Sequence, residues 1–240
     1  MRPARLGVGI VGAGNVGPVL AAALAGAGHA LVGISGGGDR VEVMLPDLPV
    51  LDVPTIVERA ELVLLAVPTD QLAGLVEGLA ATGAWQPGQL VVHTAAELGV
   101  EVLEPARAAG AIPLAIHPAM AFTGTSLDLT RLRDAVCAVT APAPVLPIAQ
   151  ALVVEIGAEP VVVAEADRAD YAEAVALATE LGERVVGDAL ARLAAIGVER
   201  PVRLLGPIVR SSVERALSRA PSHPEADTIG DDLEDRTWTP

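Results

Sequence analysis

The chain contains no lysine; all 16 of its basic residues are arginine. That absence removes Schiff-base chemistry, a covalent pyridoxal phosphate site, the lysine of a Walker-type phosphate loop and any lysine general acid. A single cysteine, Cys137, permits neither an internal disulfide nor a cysteine-ligated zinc site. The four histidines show no metal spacing, so no metal is expected. Aromatic side chains make up only 2% of the chain (Phe122, Tyr171, Trp85 and Trp238). The core must therefore be built from Ala, Val and Leu. No apolar run reaches the roughly 18 residues of a membrane span. Arg2 and Arg5 precede an apolar run that breaks into a glycine turn, which does not read as a signal peptide. The expectation is a cytoplasmic protein with no membrane partner. Bases are also scarce beside 30 acids, and the formal net charge of −14 argues against a nucleic-acid partner.

What is abundant is apolar surface to bury. Residues of the AVILMFWYC set form 52% of 240 residues, enough for one domain or for a nucleotide-binding domain with a small companion. Residues 6–11 read as a buried strand, followed by Gly12-Ala13-Gly14-Asn15-Val16-Gly17 and a helix over 19–27 that Gly28 stops. Pro18 sits where the first helical turn tolerates it. Residues 30–34 read as a second strand. Strand, glycine turn, helix and strand within about thirty residues make half of a Rossmann unit. The alternation continues with helix 55–60, strand 62–67, helix 70–81, strand 89–93, helix 99–109 and strand 112–116. Candidate strands at 135–140 and 160–164 flank a helix at 144–156. The expected fold class is α/β, a Rossmann doubly wound, mostly parallel sheet followed by a small all-helical C-terminal domain. Its boundaries are set at 1–164 for the dinucleotide-binding domain, 165–219 for the helical domain (helices 167–196 and 201–219), and 220–240 for an acidic, mobile tail.

The glycine motif gains its meaning from that context. Gly12 permits the tight turn, Gly14 lets a pyrophosphate approach the backbone, and Gly17 lets helix and strand pack closely. Free N–H groups at the helix start, from Asn15 and Val16 onward, then face the diphosphate. The second strand ends Gly33-Ile34-Ser35 with no acid to take a ribose 2′-OH. Ser35 can donate to a 2′-phosphate and Arg40 can pair with one, which favours NADP(H). NAD(H) stays open if Asp39 turns inward, and a deazaflavin also stays open.

In such sheets ligands lie beyond the carboxyl ends of the strands. Three ends are informative: Val67-Pro68-Thr69-Asp70, His93-Thr94-Ala95-Ala96 and His117-Pro118-Ala119-Met120-Ala121-Phe122-Thr123-Gly124. His117 is the first candidate for acid–base work, since imidazole titrates near neutral pH. His93 reads as structural. Thr94 and Thr123 can bind a carboxylate or an amide, or cap turns. His29 reads as a helix cap, and His223 falls in the tail.

The stretch His117 to Thr125 resembles the HPAMTFTGT signature of a known family. Val91-Val92-His93-Thr94 resembles its VVHTSG segment, Arg168 and Tyr171 match its R-x-x-Y, and Gly206 to Arg210 match its GPVAR. This is the actinobacterial-type, Rossmann-like oxidoreductase family with a C-terminal domain of unknown function. The resemblance covers roughly residues 5–217. It implies the 6-phosphogluconate-dehydrogenase-like superfamily, with a helical C-terminal domain that commonly dimerises, and it names no substrate. The chain departs from the family pattern at Ala95, Ala121, Ala172, Thr179, Glu180, Ser211 and Ser212. The reading that follows is an NADP-dependent reductase or dehydrogenase of a small, carboxylate-bearing substrate. His117 would donate a proton or polarise a carbonyl, and Arg168 or Arg210 would clamp the carboxylate. The alternative is a catalytically degenerate dinucleotide sensor or interaction protein.

Overall fold

The computed structural model describes residues 5–219. The acidic segment 220–240, with His223, lies outside the described residues. Apolar runs of four to seven residues become strands, and the glycine- and proline-marked stretches between them start and stop the helices. In chain order the elements are β1 (Gly7–Val11), α1 (Gly17–Ala27), β2 (Ala30–Ser35), α2 (Asp39–Met44), α3 (Val53–Arg59), β3 (Leu62–Leu65), α4 (Thr69–Ala81) and β4 (Leu90–His93). Then come α5 (Glu104–Ala108), β5 (Ile112–Pro118), α6 (Leu127–Leu132), β6 (Val136–Thr140), α7 (Leu146–Glu155), β7 (Glu159–Val162), α8 (Arg168–Ala195) and α9 (Pro201–Leu217).

Seven strands form one sheet in the order β2-β1-β3-β4-β5-β6-β7. All neighbours are parallel except β5 and β6, which run antiparallel. The strand order reverses at β1, the usual place for a ligand crevice. β3 and β4 are buried at every position, as a sheet covered on both faces requires. Alternate side chains feed two cores. Ile10, Leu64, Val92 and Ile116 join Leu20 and Leu24 of α1 and Leu152 of α7 on one face. Val11, Val63, Leu65 and Val91 join Ile56 of α3 and Leu72, Val76 and Leu79 of α4 on the other. Trp85 closes the second core and donates its indole N–H to the Val76 carbonyl at 3.2 Å.

Two helices go beyond the sequence expectation. α2 and α6 have six residues each, too short and too polar to show a clear helical period. Strand ends also move. β3 stops at Leu65, so Val67 and Pro68 lie in the loop before α4. β5 runs on to Pro118, because His117 and Pro118 pair with Ala138 and Cys137 of the antiparallel β6. His117 is thus held inside a strand rather than beyond its end.

The chain forms two compact units that divide between Thr179 and Glu180, inside α8. The first takes in the whole sheet and the opening turns of α8. In the second, the rest of α8 and α9 carry exposed Val185, Val202, Leu204, Ile208, Val213 and Leu217, Ile196 is exposed in the turn between them, and no described residue from 182 to 219 is buried. No described helix is long and apolar enough to cross a membrane.

Candidate functional site

The β1–α1 loop shows why three glycines stand where they do. Gly12 has φ +115°, and a Cβ there would strike the carbonyl of Ala66. A Cβ on Gly17 would strike the carbonyl of Gly12. Gly14 has nothing within 4 Å of a Cβ position, so its face is open to an approaching group. The Gly12 N–H donates to the Ser35 hydroxyl oxygen at 3.0 Å. That hydroxyl ends β2 and keeps its own O–H free to donate. Asn15 and Val16 complete the loop ahead of α1, and Asn15 donates from Nδ2 to the Phe122 carbonyl at 3.3 Å. An open recess of ≈ 480 Å³ adjoins the loop, lined by Ala13, Gly37, Gly38, Asp39 and Arg40. Asp39 and Arg40 therefore face one space.

The ends of β4 and β5 hold a second cluster. His93 is fully buried at the end of β4. Its Nδ1 accepts from Ala95 N–H at 3.2 Å, so its Nε2–H donates to the Gly99 carbonyl at 2.7 Å. Burial pushes its pKa down to about 4. With both ring nitrogens bonded to nearby backbone, His93 holds the following loop in place. Thr94 points to the opposite face, into a small apolar cavity with Leu20, Val92, Ile116 and Pro118, away from the histidines.

His117 is half-buried on the same face as His93. Its Nδ1 lies 2.8 Å from the Tyr171 phenol oxygen, with the rings edge to face at 5.6 Å between centroids. Burial first, and the Arg168 charge second, push the His117 pKa down to about 4. Burial also holds the Tyr171 phenol above its ordinary range, with Arg168 opposing.

Arg168 corrects the expectation of a carboxylate clamp. It is 1% exposed. Nε donates to Thr140 Oγ1 at 2.7 Å, and Nη2 donates to the carbonyls of Ala115 and Ala138 at 3.0 and 3.2 Å. Nη1 reaches the Ala96 carbonyl at 3.5 Å. The guanidinium bolts the first turn of α8 to β5, β6 and the β4 loop, and stands 5.9 Å from the Tyr171 ring. A substrate carboxylate would find its donors occupied. One turn earlier, Glu165 accepts the N–H groups of Val100 and Glu101 at 2.7 and 3.2 Å, fixing the same β4 loop from its other end. Arg210 lies on α9 in the second unit, exposed and folded along its own helix toward Gly206.

The signature loop has an organiser that the sequence did not single out. Asp128, fully buried in the first turn of α6, accepts from the N–H groups of Thr123 and Gly124 at 2.7 and 2.8 Å and from the Thr123 hydroxyl at 3.0 Å. Burial raises the pKa of this carboxyl, but these hydrogen bonds outweigh it and hold it below the usual range. Thr123 is thereby a loop-building residue. His29 also differs from its reading as a cap. Its Nδ1 accepts from Leu6 N–H and its Nε2 meets Glu155 at 2.8 Å, while backbone N–H groups close α1. Among the described residues no cluster of His, Cys, Asp and Glu forms a metal site.

A mostly parallel sheet with a glycine turn at its point of reversal defines a Rossmann-like α/β protein. The model for a Rossmann-like domain matches residues 1–118, and that for a domain of unknown function, DUF2520, matches residues 135–226. The chain belongs to the family that joins these two domains. No curated protein matches it in sequence. Among solved structures it is similar to a candidate NADP oxidoreductase from Bacteroides fragilis, with TM-score 0.72 and 16% identity over 90% of this chain and 82% of that one. It is similar to a candidate oxidoreductase from Mycobacterium avium, with TM-score 0.65 and 20% identity over 97% and 82% of the two chains. It is also similar to an imine reductase from Myxococcus stipitatus in complex with NADP+, with TM-score 0.65 and 18% identity over 93% and 81%. At these identities the likeness is one of fold.

Proposed function

We propose that the chain is a nicotinamide-dinucleotide-dependent oxidoreductase that prefers NADP(H) over NAD(H) and reduces or oxidises a small molecule. The observation that carries this reading is the β1–α1 loop: Gly12 and Gly17 locked by backbone contacts, with Gly14 left open between them. Gly14, Asn15 and Val16 would hold the diphosphate, and Ser35 and Arg40 a ribose 2′-phosphate. Bound dinucleotide supplies or accepts the hydride. The chain's own part is at the β5 end. There His117, uncharged at neutral pH, holds the Tyr171 phenol in place, and the pair keeps one proton ready for the substrate heteroatom. The names of the similar structures, an imine reductase with NADP+ and a candidate NADP oxidoreductase, support this assignment.

Of the two arginines assigned to a carboxylate, Arg210 alone stays exposed and keeps that part of the proposal. The unburied faces of α8 and α9 favour a homodimer. Val202, Leu205, Val209, Val213 and Ala216 repeat every three or four residues along α9. Sedimentation at micromolar concentration checks it.

The test is calorimetric titration with NADPH, NADP, NADH and NAD of the native chain and of Gly14→Ala. The alanine faces open space, so its melting temperature stays unchanged while dinucleotide affinity drops at least about tenfold, since the methyl blocks phosphate approach. A folded native chain that binds none of the four overturns the proposal.

The occupied donors of Arg168 favour one second reading, a dinucleotide sensor that has lost its substrate clamp. Such a protein binds cofactor and oxidises none of it with any ketoacid or imine.

A further inference from the structure

Gly124 lies in the β5–α6 loop, far along the chain from the glycine turn, yet it meets that turn's neighbours. A Cβ built on Gly124 would stand 2.8 and 2.9 Å from Nε and Cδ of Arg40 and 2.9 Å from Oδ1 of Asn15. Real side chains do not tolerate such contacts, so with any residue but glycine Arg40, Asn15 or the loop itself must move. Which one yields follows from how each is held. The loop is the fixed partner: Asp128 takes the N–H groups of Thr123 and Gly124, and the Phe122 carbonyl takes the Asn15 amide. Gly124 itself is buried and sits at φ +73°. Arg40 is the movable partner, an exposed side chain with no carboxylate in ion-pairing range among the described residues.

The contact grips Arg40 by its stem. Cδ and Nε lie against the glycine, while Nη1 and Nη2 form no hydrogen bond among the described residues and remain available. Arg40 lines the ≈ 480 Å³ recess beside the end of β2, where a Rossmann sheet receives the ribose of its nucleotide. Two segments remote in sequence thus meet at one ligand-facing cation.

We infer that the β5–α6 loop is the outer wall of the ribose end of the dinucleotide site, and that Gly124 sets the position of Arg40 for a ribose 2′-phosphomonoester. Selectivity for the phosphorylated cofactor then depends on a residue of the same loop that leaves His117, at the opposite end of the site. The inference rests on the dinucleotide reading above.

The test compares adenosine 2′,5′-bisphosphate with adenosine 5′-monophosphate, which differ only in the 2′-phosphate, and NADPH with NADH. Calorimetry is run on the native chain, Gly124→Ala, Gly124→Asn, Arg40→Ala and the double variant Gly124→Ala/Arg40→Ala. Asparagine tolerates positive φ, so Gly124→Asn separates the lost contact from backbone strain. The expected result is that both Gly124 variants lose roughly ten- to hundredfold in affinity for the 2′-phosphorylated ligands, the size of one or two charge-assisted hydrogen bonds. Their affinity for the other two ligands stays the same, and the double variant is no worse than Arg40→Ala alone. Equal weakening of all four ligands overturns the inference, as does a Gly124 effect that persists without Arg40. Thermal melts of each variant identify loss of fold. A native chain that binds the dinucleotides without preferring the 2′-phosphate refutes the inference and leaves the dinucleotide reading standing. A native chain that binds none refutes both.

Discussion

Nδ1 of His117 and the phenol oxygen of Tyr171 stand 2.8 Å apart, 54 residues from one another in the chain. The bond ties the end of β5 to the first turn of α8. Tyr171 is the only tyrosine present, so tyrosinate absorbance reports on it alone. Its midpoint in an alkaline titration is expected above 10, since burial disfavours the phenolate more than Arg168 favours it. A midpoint below 10 would mean that the Arg168 charge dominates instead.

Acid stability carries the mark of two histidines. His93 and His117 both titrate near 4 in the folded chain, against 6.5 when unperturbed. Between those values the unfolded chain binds protons that the folded one does not. Their contribution to stability is therefore whole above pH 6.5 and is lost as pH falls from 6.5 to 4. The slope is about 1 kcal/mol per pH unit for each histidine. Urea unfolding at successive pH values measures it, and His93→Asn/His117→Asn flattens the slope in that window. An unchanged slope in the double variant would assign the acid sensitivity elsewhere.

Arg168 distinguishes a bolt from a clamp. Replacing it with Met takes the donors away from the buried carbonyls of Ala115 and Ala138 and from the Thr140 oxygen, whose hydroxyl keeps its own bond to the Val163 carbonyl. The expected loss is about 1–3 kcal/mol of unfolding free energy for each buried acceptor left unpaired. Lys does not rescue, because a single ammonium cannot span acceptors on three different segments. A near-neutral Arg168→Met would return this arginine to ligand binding.

Asp128→Ala removes the acceptor of two backbone N–H groups and one hydroxyl. Gly124 then buries an unpaired N–H and Thr123 loses its two bonds to the carboxylate, at about 1–3 kcal/mol of stability. Hydrogen exchange at residues 123–125 is expected to quicken while the strand amides of β3 and β4 stay protected. Uniform quickening across the sheet would show that Asp128 supports the whole unit rather than its loop.

The sheet was legible because β1, β3 and β4 are apolar runs bounded by glycine, proline or polar turns, and the α1 boundaries follow from Pro18 and Gly28. The short helices α2 and α6 were not, since six half-polar residues carry no clear period. The direction of β6 was hidden too. It depends on pairing with β5, and that pairing moved His117 from a strand end into the strand. Around the site, Gly12, Gly14 and Gly17 could be read from the spacing of their motif, although the carbonyl that leaves no room for a side chain at Gly12 belongs to Ala66, 54 residues further on. Tyr171 entered only through a motif match, and the burial of Arg168 depends on acceptors at positions 96, 115, 138 and 140 that no local pattern groups. Asp128 was missed for the opposite reason. Its partners lie four and five residues upstream, but the segment read as the end of a signature rather than as a loop with its own organiser.

The bond from Gly12 N–H to Ser35 has a consequence for ligand recognition. With that amide engaged by Ser35 and no room for a side chain at Gly12 beside the Ala66 carbonyl, the shape of the glycine loop is set by the chain's own residues. It works as a template rather than as a segment that folds around its guest. The ordering cost falls on folding and not on association, so most of the binding energy of a diphosphate there is expressed as affinity.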